Sequence, residues 1–494
     1  MNQEKTASLH SRYNPQGEAE RYIDSLSLNE NIRFFILIEP GLGYMIAPLK
    51  RKAPRTKVIA LHAEKPSQIP AAQGSMLKAD SEWYPETGVS VQEFLEAEIS
   101  DSQALEIRLL EWRPALNVYG HLYRVLVEEA AAFIKRSDAN ARTTKAFGSR
   151  WFKNFFKNLS IIKTAISPVN GNLSMDSLPL LVTGAGPGLE DAIPIIKKKV
   201  SPDGIFILAS SSSIAALEAN GLSPDLAIST DGSNWARLHL FSPFRNNSEK
   251  KEPCPLAVAL TAALPSQCGD LPILVISDGS FWQTLILREL QIPFIALPQR
   301  GTVTAAALDL AFALTGGQIY IAGMDLANSD IRSHARPYSL DALIEEKASR
   351  VNPAYSQTYK RSSLLKAGGS YGIYASWFEK QLSLYPRPLY PIGKNNSIFD
   401  SSAVLPFYAK QETAAIIKFN RTSLNFNADP AEMAISILEA SLKNPAHSKT
   451  LQKELQALLP TDSGAVSEND LVLNLMDTIH STSGIIRGKS NGQR

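Results

Sequence analysis

Leu178–Ala209 reads LPLLVTGAGPGLEDAIPIIKKKVSPDGIFILA, and its punctuation decides the fold. The apolar run Leu178–Thr183 stops at Gly184-Ala185-Gly186-Pro187-Gly188, after which Glu190 and Asp191 open a helix. Gly204–Ala209 (GIFILA) is the next apolar run. Strand, glycine turn, helix and strand make one β-α-β unit. The pattern continues outward. Ser210–Ser213 forms a turn, and Ile214–Asn220 a helix that Gly221 closes. Asp225–Thr230 is a third strand, ending at Asp231. Apolar runs recur at Leu256–Ala259, Leu271–Ile276 and Ile292–Leu297. A small-residue helix over Thr304–Leu314 then precedes Gln318–Ala322 and Gly323-Met324-Asp325. The alternation predicts an α/β fold with a Rossmann-like, doubly wound, mainly parallel central sheet.

Around this core the chain divides into an N-terminal Rossmann-like α/β domain (1–115), a helical linker (116–175), the central domain that holds the sheet (176–420) and C-terminal helices (421–494). The first domain rests on strands at Asn31–Pro40 and Lys57–Ala63, joined through Gly41-Leu42-Gly43, with Glu64 just past the second. A glycine turn with an acid after the next strand suits a ribose-containing cofactor, or serves only to pack a helix. Lys135–Lys163 holds eight basic residues and one acid, with Trp151, Phe152, Phe155 and Phe156 interleaved. Their spacing predicts an apolar helix stripe with lysines in solvent rather than a nucleic-acid surface. The polar end GKSNGQR is expected to be disordered.

Composition excludes several classes. The 494 residues carry 50 Lys and Arg against 48 Asp and Glu, too even a balance for a dedicated nucleic-acid binder. Cys254 and Cys268, the two cysteines, are too few for a disulfide framework or a cysteine zinc site. The polar amino terminus has no secretory h-region, and no apolar run reaches about 18–20 residues, so a soluble, cytoplasmic chain without a membrane span is expected.

Ligands of open α/β sheets sit beyond the carboxyl ends of the strands. Those ends here carry Gly184, Ala185, Gly186, Pro187 and Gly188, then Ser211, Asp231, Ser277-Asp278 and Asp325. Glycines let backbone N–H groups approach a phosphate, and the following helix adds its positive end. The loop is not a Walker A loop, since Leu189 and Glu190 stand where Lys and Ser/Thr would be. A purely structural turn is the alternative. Asp231 and Asp325 are candidate ligand-binding acids or turn caps. His334, between Arg332 and Arg336, is a candidate acid–base group or a surface histidine. Asp231-Gly232-Ser233 lacks an Asp-x-Asp pair, so no metal site is expected.

Leu181–Leu189 (LVTGAGPGL), Ser223-Pro224-Asp225 with Ile228–Asp231, and Ile319–Ala327 (IYIAGMDLA) with Ser333-His334-Ala335 resemble the DUF115 (MptE-like) domain. That domain is shared by Maf-type (motility-associated factor) flagellin glycosyltransferases and by 6-hydroxymethylpterin diphosphokinases. Ser11–Pro15, Glu18-Ala19-Glu20 and Gly41–Tyr44 match the longer Maf-like architecture. The core is also similar to bacterial sialyltransferases, with Arg300, Thr302 and Thr304 placed around the nucleotide. The resemblance implies transfer of a nonulosonic, sialic-acid-like sugar from a CMP donor to Ser or Thr of flagellin, with no further cofactor firmly implied. Asp231, Asp325, Ser211, Thr302 and Thr304 would then hold the nucleotide, and His334 or Asp231 would act in catalysis. Two departures stand out: Gly188 replaces the family's usual Ser, and Asn395-Asn396-Ser397-Ile398 stands near a missing Glu-Gly-Gly-Ala segment. The alternatives are an ATP- and Mg²⁺-dependent diphosphokinase and a non-catalytic flagellar assembly or chaperone module.

Overall fold

The computed structural model describes residues 9–11, 13–29, 31–65, 78–169, 178–199, 205–241, 254–328, 331–367, 370–393, 399, 417–459 and 468–490. The chain forms two compact units, residues 1–146 and 147–494. Their boundary falls inside the helix His121–Ile161. Tyr123, Leu126, Ala130 and Phe133 bury in the core of the first unit, whereas Phe152, Phe155, Phe156 and Leu159 bury in that of the second. The aromatic stripe is therefore core: Phe152 and Phe155 pack on Trp282 with ring centroids 5.4 and 4.7 Å away. Among the described residues no helix is long and apolar enough to cross a membrane.

The first unit holds β1 (Phe34–Ile38), β2 (Lys57–Leu61), β3 (Ser81–Trp83) and β4 (Ile107–Glu111). They form one parallel sheet in the order β3-β2-β1-β4. Every residue of β1 (FFILI) is buried, as a central parallel strand covered on both faces requires.

The second unit builds a larger sheet from β5 (Thr164–Pro168), β6 (Leu180–Thr183), β7 (Phe206–Ser210), β8 (Leu226–Ser229), β9 (Leu256–Ala259) and β10 (Pro272–Ser277). It is completed by β11 (Phe294–Ala296), β12 (Ile319–Ala322), β13 (Leu389–Pro391) and β14 (Phe419–Ser423). The order is β13-β12-β6-β7-β8-β9-β10-β5-β14, with β11 also paired to β10. Among the described residues of this sheet, only the β14–β5 pair is antiparallel. Side chains alternate between two cores. Leu181, Ile207 and Tyr320 face the helix Gly188–Lys199, whereas Leu180, Leu208 and Ile321 face the helix Val303–Leu314. The helices Pro430–Lys443 and Pro445–Leu458 add Leu438 and Leu455 to the first of these cores. The expected doubly wound, mainly parallel α/β sheet is what the chain forms.

One feature of the order positions the site. The chain steps from β6 through β10 in one direction, then returns to place β12 on the other side of β6. Strands β6 and β12 pair in parallel from Ile319↔Leu180 to Ala322↔Thr183, so they end level. The order reverses between them, and such a reversal opens a crevice at the carboxyl edge.

Candidate functional site

At that reversal two glycine turns lie backbone against backbone. Gly184 N–H donates to the Ala322 carbonyl and Gly186 N–H to the Gly323 carbonyl, both at 2.8 Å. Gly323 has φ +67, and a Cβ there would stand 2.5 Å from the Gly184 oxygen and 2.8 Å from Leu189 Cβ. Only glycine fits this position. Both carboxylate oxygens of Asp325 then accept from Gly188 N–H at 3.0 Å. A Cβ on Gly186 would overlap Asp325 Oδ2. The close approach that the glycines permit is therefore made by the chain's own carboxylate, at the helix end where a phosphate was expected to dock. Gly188 supplies that amide. Burial pushes the Asp325 carboxyl up to about 6, and the hydrogen bond from Gly188 only partly opposes this.

The segment carrying His334 is tied to the same loop. Ala335 N–H donates to the Ala185 carbonyl at 2.8 Å. Glu190 accepts from Arg332 Nη1 at 2.8 and 2.9 Å and from the Arg336 amide at 2.9 Å. Glu190, which disqualifies a Walker loop, thus anchors the histidine segment. His334 Nδ1 lies 2.8 Å from Ser333 Oγ, and its ring stacks on Tyr338 at 4.1 Å. The Arg361 guanidinium lies 5.1 Å from the Tyr338 ring centroid, and its Nη2 donates to the phenol oxygen at 3.0 Å.

This packing corrects the expectation of an exposed histidine shaped by Arg332 and Arg336. Burial drives His334 down to about 3, with Arg361 and His239 adding to the shift. His239, 5.3 Å from Tyr338, falls to about 4 through burial, which the Asp231 charge partly opposes. Both rings are neutral at pH 7. A lowered histidine pKa means that the unfolded chain binds more protons, so stability rises with pH from about 4 to the unfolded value near 6.5. Labelled-histidine spectra should accordingly show neither ring titrating between pH 5 and 8. A midpoint near 6.5 for either would refute the packing.

Asp231 lies exposed past β8, where Oδ1 accepts from Ser233 N–H at 2.8 Å and Oδ2 from the Ser233 hydroxyl at 3.0 Å. It borders a cavity of about 440 Å³ that His239, Tyr338, Lys347, Arg361 and Trp235 also line. Among the remaining candidates, Thr302 caps its helix, accepting from Ala305 N–H at 3.1 Å, and Thr304 lies half-buried in the first turn. Arg300 is paired with Asp309 at 2.5 Å and stacked on Trp377. Ser211 is 2% exposed. The structure thus brings the glycine loop, Asp325 and His334 together, and sets Asp231 beside His239 and Arg361. Thr302 serves as a helix cap instead, and Ser211 is buried.

Sequence reasoning did not single out His239, Tyr338 or Arg361. No periodic spacing marked them, since residues 331–340 form no helix and the three are brought together only by the fold. The segment 395–398 lies outside the described residues. Among the described residues no three His, Cys, Asp or Glu side chains converge as a metal site. In the first unit, His10 fills the Gly41–Gly43 turn: its Nε2 accepts from Leu42 N–H at 3.0 Å, and a Cβ on Gly41 would overlap it. Glu64 accepts from the Tyr119 hydroxyl at 2.9 Å.

Residues 150–330 match the family model described as 6-hydroxymethylpterin diphosphokinase MptE-like. An uncharacterized protein of Treponema pallidum (strain Nichols) is 28% identical over 255 residues, 51% of this chain and 54% of that protein. The chain therefore spans about half the length of this curated relative. Among solved structures, the MAf glycosyltransferase from Magnetospirillum magneticum AMB-1 superposes with a TM-score of 0.52 at 12% identity. The match covers 95% of this chain and 83% of that one, and shows a shared fold.

Proposed function

We propose that this chain, which carries an MptE-like domain over residues 150–330, is a glycosyltransferase working at the carboxyl edge of its larger sheet. The finer reading is transfer of a nonulosonic sugar from a CMP donor to Ser or Thr of flagellin in the cytoplasm. The carrying observation is the cavity of about 440 Å³ beside Asp231, a volume within the range of small-ligand sites. Its chemistry suits a nucleotide sugar. Arg361 and Lys347 supply positive charge where the donor phosphate gains charge on leaving. Trp235, 57% exposed, offers a ring face, and Asp231 offers acceptor oxygens for hydroxyls.

In this assignment the glycine loop does not hold the phosphate, because Asp325 already takes the Gly188 amide. A phosphate there would meet a carboxylate, and like charges at such range repel strongly away from water. The loop instead fixes the crevice floor and, through Ala335, the His334 segment.

A second reading is pyrophosphoryl transfer from ATP, favoured by the family description of residues 150–330. It calls for Mg²⁺ held by carboxylates. Asp231 is tied to Ser233, Asp325 to Gly188, and Asp225 to the Ile207 amide, so these acids do not form one cluster.

Thermal-shift measurements with CMP, CDP, UDP and ATP, with and without Mg²⁺, separate the readings. A ligand at 100-fold its Kd adds about 2.7 kcal/mol. CMP preference supports the transferase and Mg-ATP preference the kinase; no shift supports a binding module. Arg361→Ala is expected to weaken nucleotide binding at least tenfold, about 1.4 kcal/mol, with Arg361→Lys intermediate. Calorimetric affinities equal to wild type in both variants would move the phosphate elsewhere.

A further inference from the structure

Two imidazoles lie against Tyr338, His239 buried and His334 half-buried, and they differ in what they can reach. His334 has Nδ1 engaged by Ser333 and one ring face stacked on Tyr338, and it is not among the residues lining the cavity. His239 lines the cavity itself, although the residue is only 9% exposed. Its Nδ1 is sealed from solvent and has no hydrogen-bond partner. A buried imidazole nitrogen left unpaired costs stability, and here no bond at Nδ1 fixes the tautomer. The ring can therefore offer Nε2 as either a lone pair or an N–H.

Resting on the transferase reading above, we infer that His239, with Asp231 beside it, is the group that takes the acceptor proton, and that His334 is a positioning residue stacked on Tyr338. The acceptor hydroxyl oxygen bonds to the anomeric carbon of a nucleotide sugar as the anomeric C–O bond to phosphate breaks. That bond's electron pair leaves on the nucleotide phosphate, facing Arg361. The acceptor proton passes to His239 Nε2.

The charged and titratable groups acting on His239 are Asp231, Arg361, His334 and Tyr338. Asp231 raises its basicity, and burial and Arg361 lower it. A phosphate seated on Arg361 would neutralise that cation, so the base strengthens once the donor is bound. His334 gains less from such a change, because its burial dominates.

The test uses the full chain and the release of nucleotide from a panel of CMP-, UDP- and GDP-sugars, with water as acceptor. His239→Ala should lower turnover at least about 100-fold while calorimetric nucleotide affinity stays within about threefold. Added imidazole should restore at least about tenfold, a rescue that a merely structural histidine would not show. His239→Asn, closer in shape, provides the same comparison if the alanine variant misfolds. His334→Asn should retain more activity than either. Wild-type turnover in His239→Ala, or binding lost in parallel with turnover, overturns the assignment. A wild type that releases nucleotide from no sugar overturns the transferase reading instead, and this assignment with it.

Discussion

Valine at position 186 is expected to destabilise the 147–494 unit by about 3–5 kcal/mol, adding an overpacking cost to the loss of a charge-assisted hydrogen bond. From the sequence alone, Gly186→Val would block a phosphate and leave folding intact. The structure changes that expectation, because the new Cβ would overlap Asp325 Oδ2 and lie 2.8 Å from the Gly323 oxygen. The carboxylate must leave Gly188, and two adjoining strand ends must part. Denaturation midpoints of wild type and variant measure the effect. Unchanged stability would show that the turn has room, and would return the loop to the phosphate.

Asp325→Asn should change the shape of the pH–stability curve rather than only its height. The Asp325 carboxyl lies at about 6 in the folded chain, mainly through burial, against about 3.9 when unfolded. The folded state therefore binds the proton more tightly. Stability is greater below the unfolded value and falls as pH rises from about 4 to about 6, by on the order of 2 kcal/mol. Asparagine keeps an acceptor for Gly188 N–H but does not titrate, so this decline should be missing from the variant. Parallel curves for the two proteins between pH 4 and 7 would show that Asp325 titrates normally. The same preparation reports on ligand binding: if Asp325 only caps the helix Gly188–Lys199, nucleotide affinity should hold level at pH 8.

How much of this was legible can be judged residue by residue. The runs LLVT, FILAS, LAIS and IYIA are short, apolar and bounded by Gly, Ser or Asp, and each became a strand. Asp231 and Asp325 were recognisable as strand-end acids because position in a β-α unit is a local property. Ownership of the glycine loop was not. The hydrogen bond from Gly188 to Asp325 spans 137 residues and exists only because β12 pairs with β6. No spacing in the chain announces that pairing. The protonation of His334 was hidden for the same reason: adjacent Arg332 and Arg336 are visible in the sequence, but Glu190 engages the Arg332 guanidinium, Asp341 faces that of Arg336, and Tyr338 stacks on the ring while Arg361 adds to its shift.

The sequence by itself determined the α/β class, the alternation of faces and the crevice edge, because hydrophobic periodicity and glycine turns act over a few residues. Tertiary structure alone decided which group occupies the helix end, which imidazole faces the cavity and which cation lies across it. Desolvation and close packing act between segments that strand order brings together, and their sign depends on neighbours that the linear chain does not display.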